Sequence, residues 1–184
     1  GYAANGPDRC FHCKSELYTI TERVRAARGF AHVANGTNID DLGDYRPGLE
    51  AAKNAGVRSP LVEANLHKDE VRALAQELGL DFWDKPAAAC LSSRIPYGTA
   101  VTPERLLQVE QLEDALHALG LRQVRVRYHD RLARIEVGQS ELEHAFAVRE
   151  AITKAGKSAG FTFVTLDLGG YRTGSLNQLL RVIP

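Results

Sequence analysis

The hydrophobic pattern in the first half of the chain alternates between helical spacing and short apolar runs. Leu17, Ile20 and Val24 fall on one helical face, and Gly29 supplies a stop signal after them. The apolar runs are too short for helices and predict buried strands. The predicted elements are a helix over 14–28, a strand over 30–34, a helix over 46–53, a strand over 57–63 and a helix over 67–78. Strands that alternate with helices predict an α/β domain built on a parallel sheet.

The pattern changes in the second half of the chain. Thr102 and Pro103 form a helix start, with threonine as the N-cap and proline at the first helical position. Polar and apolar residues then alternate over 123–128 and again over 132–137, which predicts a hairpin with its turn at His129-Asp130. The other predicted elements are a helix running to about residue 119, a helix over 141–155 and a strand over 161–168. This order predicts a small α+β domain.

A loop rich in reactive side chains lies between the two patterns. Residues 85–98, KPAAACLSSRIPYG, hold a lysine, a cysteine, two serines and an arginine. Pro86 and Pro96 disfavour helix on either side. We place the domain boundary near Pro96, between domains over 1–96 and 97–184, so that the loop lies at a junction, where binding pockets are common. From composition alone, a linker with one buried cysteine explains the loop equally well.

Composition and charge limit the classes of function. Among 184 residues, 23 lysines and arginines balance 23 aspartates and glutamates, so nothing favours nucleic acid or a membrane as the main partner. No apolar stretch reaches the roughly 18 to 20 residues of a membrane span, and no signal peptide is recognisable. We therefore expect a cytoplasmic protein. The chain contains no methionine and begins on a loop-like stretch, so we also expect a missing N-terminal portion.

Three cysteines are the first candidates for chemistry. Cys10 and Cys13 form a Cys-x-x-Cys pair next to a predicted helix and to Lys14, where a thiol is a better nucleophile or metal ligand. A redox dithiol lacks the expected chain order, and a closed zinc site needs four ligands, to which His12 could contribute. With Cys90, three thiols suit an iron–sulfur cluster with one open iron. Simple packing is the alternative, although the polar setting of the pair favours ligand or redox use.

Two further sets of residues are candidates for binding anions and metal. Ser92, Ser93 and Arg94 are close enough along the chain to hold a phosphate or carboxylate. Arg125 and Arg127 share one face of a predicted strand, so a positive stripe is expected there. Arginines on a solvated strand face are the alternative.

The run NGTNIDD, residues 35–41, follows a predicted strand at the end where open α/β sheets bind ligands. Asp40 and Asp41 could hold Mg²⁺ beside a nucleotide phosphate. A helix cap or a turn explains the two aspartates as well.

Together these stretches resemble the LarE family, and the resemblance spans essentially the whole chain. The matching motifs are RCFHCK (9–14), NGTNIDD (35–41), RPG (46–48), KPAAACLSSRIPYG (85–98) and DLGGYRTGSLN (167–177). Members of that family are ATP-dependent sulfur transferases that help to build the nickel-pincer nucleotide cofactor of lactate racemase. The resemblance implies a PP-loop ATP pyrophosphatase fold, followed by a small α+β domain that binds substrate or forms oligomers. The pyrophosphate loop that defines this superfamily is absent from the sequence.

The resemblance also implies roles for individual residues. Gly36, Thr37 and Asp40 would border ATP and Mg²⁺, while Ser93, Arg94 and Arg127 would hold the phosphate of pyridinium-3,5-biscarboxylic acid mononucleotide. Cys90 would supply sulfur to the adenylated carboxylate, or would join Cys10 and Cys13 in holding a 4Fe-4S cluster that supplies it. We expect the cluster type, in a homo-oligomer that binds neither nucleic acid nor membrane. A PP-loop tRNA-thiolating enzyme and a non-catalytic zinc- or cluster-binding module remain alternatives.

Overall fold

The computed structural model describes residues 1–43, 46–86 and 88–172, which form two compact units, Gly1–Lys85 and Pro86–Pro184. Residues 173–177 of the last LarE-like motif and Ala87 of the cysteine loop lie outside this part. The sequence placed the domain boundary near Pro96, whereas this division assigns residues 86–98, the part of the 85–98 loop that holds Cys90 and is called the cysteine loop below, to the second unit. None of the helices among the described residues is long and apolar enough to cross a bilayer.

The described part of the first unit is helical. Its helices are α1 (Arg9–Arg28), α2 (Pro47–Asn54), α3 (Pro60–Glu63) and α4 (Lys68–Glu77), with a 3₁₀ turn over Ile39–Gly43. Helix α1 packs on α2 around Tyr18, Ala51 and Ala52. It begins at Arg9, earlier than the predicted residue 14, so the cysteine pair lies in its first two turns.

The two strands predicted in the first unit are wrong. Segments 30–34 and 57–63 meet only at one parallel bridge between Ala34 and Arg58. Ser59 is followed by Pro60, which lacks an N–H and starts helix α3, where that donor is not needed. Phe30 is 57% exposed, although a parallel strand is normally buried on both faces. No parallel sheet is therefore present among residues 1–43 and 46–85, and the PP-loop fold remains a prediction.

The apolar face of α1 that predicted this helix is not buried against the described residues. Leu17, Ile20 and Val24 are each 41% to 48% exposed. Amphipathic helices of α/β domains bury this kind of stripe against a sheet. The periodicity thus identified the helix correctly, while the described residues supply no strand to cover it.

The second unit has a mixed sheet covered by helices. Its elements are α5 (Pro103–Ala118), β1 (Val124–His129), β2 (Leu132–Val137), α6 (Leu142–Ala147), α7 (Arg149–Ser158) and β3 (Phe163–Leu166). The sheet order is β1-β2-β3, with β1 antiparallel and β3 parallel to β2. The predicted start of α5 is confirmed, because the Arg105 amide donates to the Thr102 hydroxyl at 3.3 Å. The predicted hairpin is confirmed too, with Asp130 at a φ of 54° in its turn.

The helix predicted over 141–155 is two helices. The backbone turns at Val148, whose φ of −96° and ψ of 18° leave α geometry, and this lets Ala145 of α6 and Ile152 of α7 both reach the core. Helix α7 lies close to β3, since a Cβ on Gly156 would be 2.4 Å from the Val164 side chain. The chain from β2 to β3 is therefore a helical crossover between parallel strands.

Candidate functional site

Cys90 lies at the start of a 3₁₀ turn, Leu91–Arg94, in the second unit. Cys90 is an exposed residue, and its Sγ is 3.1 Å from the hydroxyl oxygen of Ser92, which is itself buried. The Cys90 carbonyl accepts from the Ser93 amide at 2.9 Å. The sulfur is thus accessible, while the backbone that carries it is ordered by local hydrogen bonds.

Arg94 ends this turn and is buried, with 3% of its surface exposed. Its Nε and one terminal nitrogen each donate to Glu113 at 2.8 Å, as a bidentate pair. The other terminal nitrogen donates to the carbonyls of Ala89 at 2.7 Å and Cys90 at 3.1 Å, and to the Ser93 hydroxyl at 3.1 Å. All three guanidinium nitrogens therefore have acceptors within the protein.

Glu113 connects the cysteine loop to the core of the second unit. It lies on the buried face of α5 beside Leu112 and Leu116, and its Oε1 also accepts from the Val126 amide of β1 at 2.8 Å. A buried carboxylate needs this kind of compensation. Glu113 therefore binds the loop, the helix and the sheet together.

Arg125 and Arg127 lie on one face of β1, and both are buried. Arg127 donates from two nitrogens to Glu136 at 3.0 and 2.7 Å, and from the third to the Ser93 carbonyl at 3.2 Å. Burial, followed by the nearby charge of Arg94, lowers the pKa of Arg125 from its usual value. The prediction that these arginines share a face is confirmed, but the alternative of a solvated face is wrong.

The described part of the C-terminal motif, residues 167–172, lies against this arginine face. The ring of Tyr171 lies 5.2 Å from the Arg125 guanidinium, and the Tyr171 amide donates to the Val137 carbonyl at 2.7 Å. Asp167 forms an ion pair with Arg134. The motif that contributed to the resemblance thus packs on the same sheet as the cysteine loop.

Among the described residues of the second unit, the buried charged side chains include more arginines than carboxylates. Within the described part of the second unit, the buried arginines are Arg94, Arg125 and Arg127, and the buried carboxylates are Glu113 and Glu136. A cluster of buried guanidinium groups is a setting in which proteins commonly bind anionic ligands.

Two of the three nucleotide-binding candidates in the first unit have few contacts. Gly36 is exposed, and a Cβ there would meet nothing within 4 Å. The Thr37 amide donates to the Asn35 side chain at 3.1 Å. Asn38, between Thr37 and Asp40, has a buried Oδ1 without a hydrogen-bond partner among the described residues. That oxygen is an acceptor to which a ligand could donate.

Asp40 caps helix α4. Its Oδ1 is 2.9 Å from Nδ1 of His67, and its Oδ2 accepts from the Lys68 amide at 2.7 Å. The hydrogen bond with His67 lowers the pKa of Asp40 and, in return, raises the pKa of His67. The helix cap, which the sequence left as an alternative to a metal ligand, is thus observed.

Cys10 and Cys13 lie three residues apart on α1, a spacing that places both thiols on one side of the helix. Gly48 of the RPG motif lies close to them, since a Cβ there would be 3.0 Å from Lys14 and 3.7 Å from the Cys10 carbonyl. Neither unit, in its described residues, gathers three side chains of histidine, cysteine, aspartate or glutamate into a metal-binding group. A three-thiolate site would therefore need Cys90 from the second unit.

Sequence reasoning grouped Ser92 with Ser93 and Arg94 as an anion-binding candidate, but it did not select Glu113 or Glu136 as site residues. A signal for Glu113 was present, because it falls on the apolar face of α5 with Leu112 and Leu116. Glu136 faces the arginines through its register opposite Arg125. A carboxylate on a face expected to be apolar often marks a buried ion pair.

Comparisons with known proteins identify the family. The chain is 46% identical over 183 residues to an uncharacterised protein of Synechocystis sp., covering 97% of this chain and 68% of that protein. It is 43% identical over 176 residues to the pyridinium-3,5-bisthiocarboxylic acid mononucleotide synthase of Lactiplantibacillus plantarum, covering 96% of this chain and 64% of that enzyme. The chain belongs to the LarE family. The family predicted from the motifs is confirmed.

The chain is also similar to a third protein. An uncharacterised protein of Methanocaldococcus jannaschii is 31% identical over 169 residues, which cover 92% of this chain and 66% of that protein. No protein-family model matches the chain. The LarE-family chain spans between 64% and 68% of the length of these three relatives.

Proposed function

We propose that this chain transfers sulfur to a carboxylate of a pyridinium mononucleotide, as the name of the Lactiplantibacillus plantarum relative implies. The observation that carries the proposal is the setting of Cys90. Its thiol is exposed at a loop that buried arginine–glutamate pairs connect to the core. A reactive sulfur needs this combination of access and fixed geometry.

The proposed reaction begins with ATP. A carboxylate oxygen attacks the α-phosphorus, pyrophosphate leaves, and the acyl adenylate that forms carries a good leaving group. The Cys90 thiolate then attacks the activated carbonyl carbon, and AMP leaves to give a thioester. Loss of the Cys90 α-proton with cleavage of the Cβ–S bond leaves a thiocarboxylate on the substrate and dehydroalanine on the protein. No redox partner is needed for this balance.

The buried positive charge in the second unit supports an anionic substrate. A mononucleotide carries a phosphate, which arginine binds well. Ser93, in the turn after Cys90, is proposed as a phosphate ligand, and Arg125 and Arg127 of β1 are proposed to attract the phosphate through their charge while keeping their contacts within the protein. In the first unit, Gly36, Thr37 and Asp40 are proposed to border ATP and Mg²⁺, and the buried acceptor of Asn38 supports a ligand there.

A second source of sulfur is proposed for members with three cysteines. Cys10, Cys13 and Cys90 have the chemistry to hold a 4Fe-4S cluster, and the helical spacing of the first two fits a shared ligand set. Such a cluster, when bound, would supply a replaceable sulfur at its open iron. The chain's own contribution would then be to hold three thiolates and leave Cys90 intact.

The test uses the full-length protein, purified anaerobically, with ATP, Mg²⁺ and pyridinium-3,5-biscarboxylic acid mononucleotide. Mass spectrometry should detect a thiocarboxylate product, and AMP and pyrophosphate should appear with it. Cys90→Ala should abolish transfer by either route. Thiolation of bulk tRNA instead, or one bound zinc per chain with no pyrophosphate released, would refute the proposal in favour of the corresponding alternative.

Variants at the cysteine pair separate the two sulfur sources. Under the cluster route, Cys10→Ala and Cys13→Ala should abolish transfer and remove iron and acid-labile sulfide from the protein. Under the sacrificial route, both variants should transfer sulfur normally, and each protein chain should lose the elements of hydrogen sulfide at Cys90 in its single turnover.

A further inference from the structure

We propose that Arg94 positions Cys90 through Glu113 and is not a ligand of the substrate. This inference rests on the proposed function and assigns a different role to a residue that the sequence placed at the substrate phosphate. It depends on the directions in which the Arg94 guanidinium donates, and on the burial of its partner.

The Arg94 guanidinium holds the backbone on either side of Cys90. One terminal nitrogen of Arg94 donates to the carbonyls of Ala89 at 2.7 Å and Cys90 at 3.1 Å. These carbonyls flank the Cys90 Cα. Because two consecutive carbonyls are held by one planar group, the direction in which the Cys90 side chain leaves the backbone is restricted.

Glu113 in turn holds the Arg94 guanidinium in place. Both oxygens of Glu113 accept from its guanidinium at 2.8 Å, and one of them also accepts from the Val126 amide of β1. The side chains of Arg94 and Glu113 are 4% and 9% exposed. The loop carbonyls are therefore connected to the sheet by an unbroken set of buried, charge-assisted hydrogen bonds.

Binding of the substrate phosphate by Arg94 would cost free energy, because Arg94 would have to leave its present partners. If Arg94 turned towards a substrate phosphate, Glu113 would stay buried with its charge uncompensated, and two loop carbonyls would lose a donor. Removing one member of a buried pair is strongly unfavourable. The arrangement thus favours a guanidinium that remains in place while the exposed Cys90 thiol meets the substrate.

Arg94→Lys tests this role. Lysine keeps a positive charge that could still attract a phosphate, but it cannot pair with both Glu113 oxygens and also reach the carbonyls. We expect unchanged affinity for pyridinium-3,5-biscarboxylic acid mononucleotide. The single-turnover rate of sulfur transfer at saturating substrate should fall on the order of a hundredfold, as for a displacement of about 1 Å at a reacting group. Weaker binding with a normal saturated rate would overturn the inference.

Arg105→Lys is the matched control. Arg105 also lies in the second unit, where, among the described residues, its guanidinium donates to the Ala100 carbonyl and the Tyr128 hydroxyl rather than to the Cys90 turn. Its rate of sulfur transfer should remain normal. An equal loss of rate in Arg105→Lys would mean that general loosening of the unit explains the effect, and would also overturn the inference.

Hydrogen–deuterium exchange gives a readout that does not depend on activity. The Ser93 and Ile95 amides donate within the turn, at 2.9 and 3.2 Å. Both should exchange faster in Arg94→Lys and in Glu113→Gln, a variant that retains an oxygen for Val126. Unchanged exchange would refute the positioning role. A wild-type protein without sulfur transfer would refute only the proposed function, because the exchange comparison requires no more than folded protein.

Discussion

Glu136→Leu should destabilise the second unit by about 3 to 5 kcal/mol, the usual cost of leaving one charge of a buried pair without its partner. Glu136 is 1% exposed, and it accepts two hydrogen bonds from Arg127, whose side chain is 8% exposed. Because the Arg127 side chain is buried, water cannot stabilise its charge once the Glu136 carboxylate is removed. The change would remove much of a typical domain stability of about 5 to 15 kcal/mol.

The contact between Glu136 and Arg134 adds little to this figure. Their charged atoms are 3.1 Å apart, but the Arg134 side chain is one third exposed and also pairs with Asp167. Partly exposed ion pairs contribute about 0 to 1 kcal/mol. The pair with Arg127 therefore dominates the expected loss.

The assay is a double-mutant cycle. Glu136→Leu, Arg127→Met and the double variant would be compared by hydrogen exchange of the β1 and β2 peptides in increasing urea, which reports the unfolding of this unit alone. We expect the double variant to be more stable than Glu136→Leu, because two apolar side chains replace the whole pair. A loss below about 1 kcal/mol in Glu136→Leu, or fully additive single effects, would refute the reasoning.

Three further predictions follow from single contacts. Ser92→Ala removes the buried hydroxyl beside the Cys90 sulfur and should slow sulfur transfer by up to about tenfold, the equivalent of one hydrogen bond; an unchanged rate would contradict a role for this contact. Gly156→Ala places a Cβ against the facing strand and should cost about 1 to 3 kcal/mol of unfolding free energy in a urea titration; a neutral effect would contradict the close packing. Asp40→Asn should lower the pKa of His67 back towards 6.5 in an NMR titration, and an unchanged pKa would contradict the pair. Because the raised pKa belongs to the folded state, the contribution of His67 to stability is full below pH 6.5 and is lost as pH rises through the raised value. The contribution of Asp40, with a lowered pKa, is full above its usual 3.8 and is lost as pH falls.

Short sequence signals predicted correctly the features that depend only on residues adjacent in the chain. The Thr102-Pro103 start of α5 follows from one hydroxyl and one missing N–H. The hairpin follows from alternation on both sides of Asp130, which adopts the left-handed conformation that aspartate tolerates. These features are encoded within a few residues, so they are recoverable from a single sequence.

The strands predicted in the first unit failed because a strand is defined by its partners. The run over 30–34 has suitable side chains, yet its hydrogen bonds with the second segment amount to one bridge at Arg58. Short apolar runs carry the same pattern whether or not a neighbouring strand pairs with them. Pro60, two residues after Arg58, is a local signal for a helix start inside the apolar run over 57–63.

The proposed role of Arg94, like the missing strands, depends on partners that are distant in the sequence. The position of Arg94 near Cys90 predicts an anion ligand, because arginine commonly binds phosphate. Its carboxylate partner lies on α5, at Glu113, and the amide that completes the arrangement lies on β1, at Val126. Only the fold brings these three together. The motif therefore shows that Arg94 is a neighbour of Cys90 in the chain, while the proposed distinction between binding substrate and holding the nucleophile depends on contacts between residues far apart in the chain.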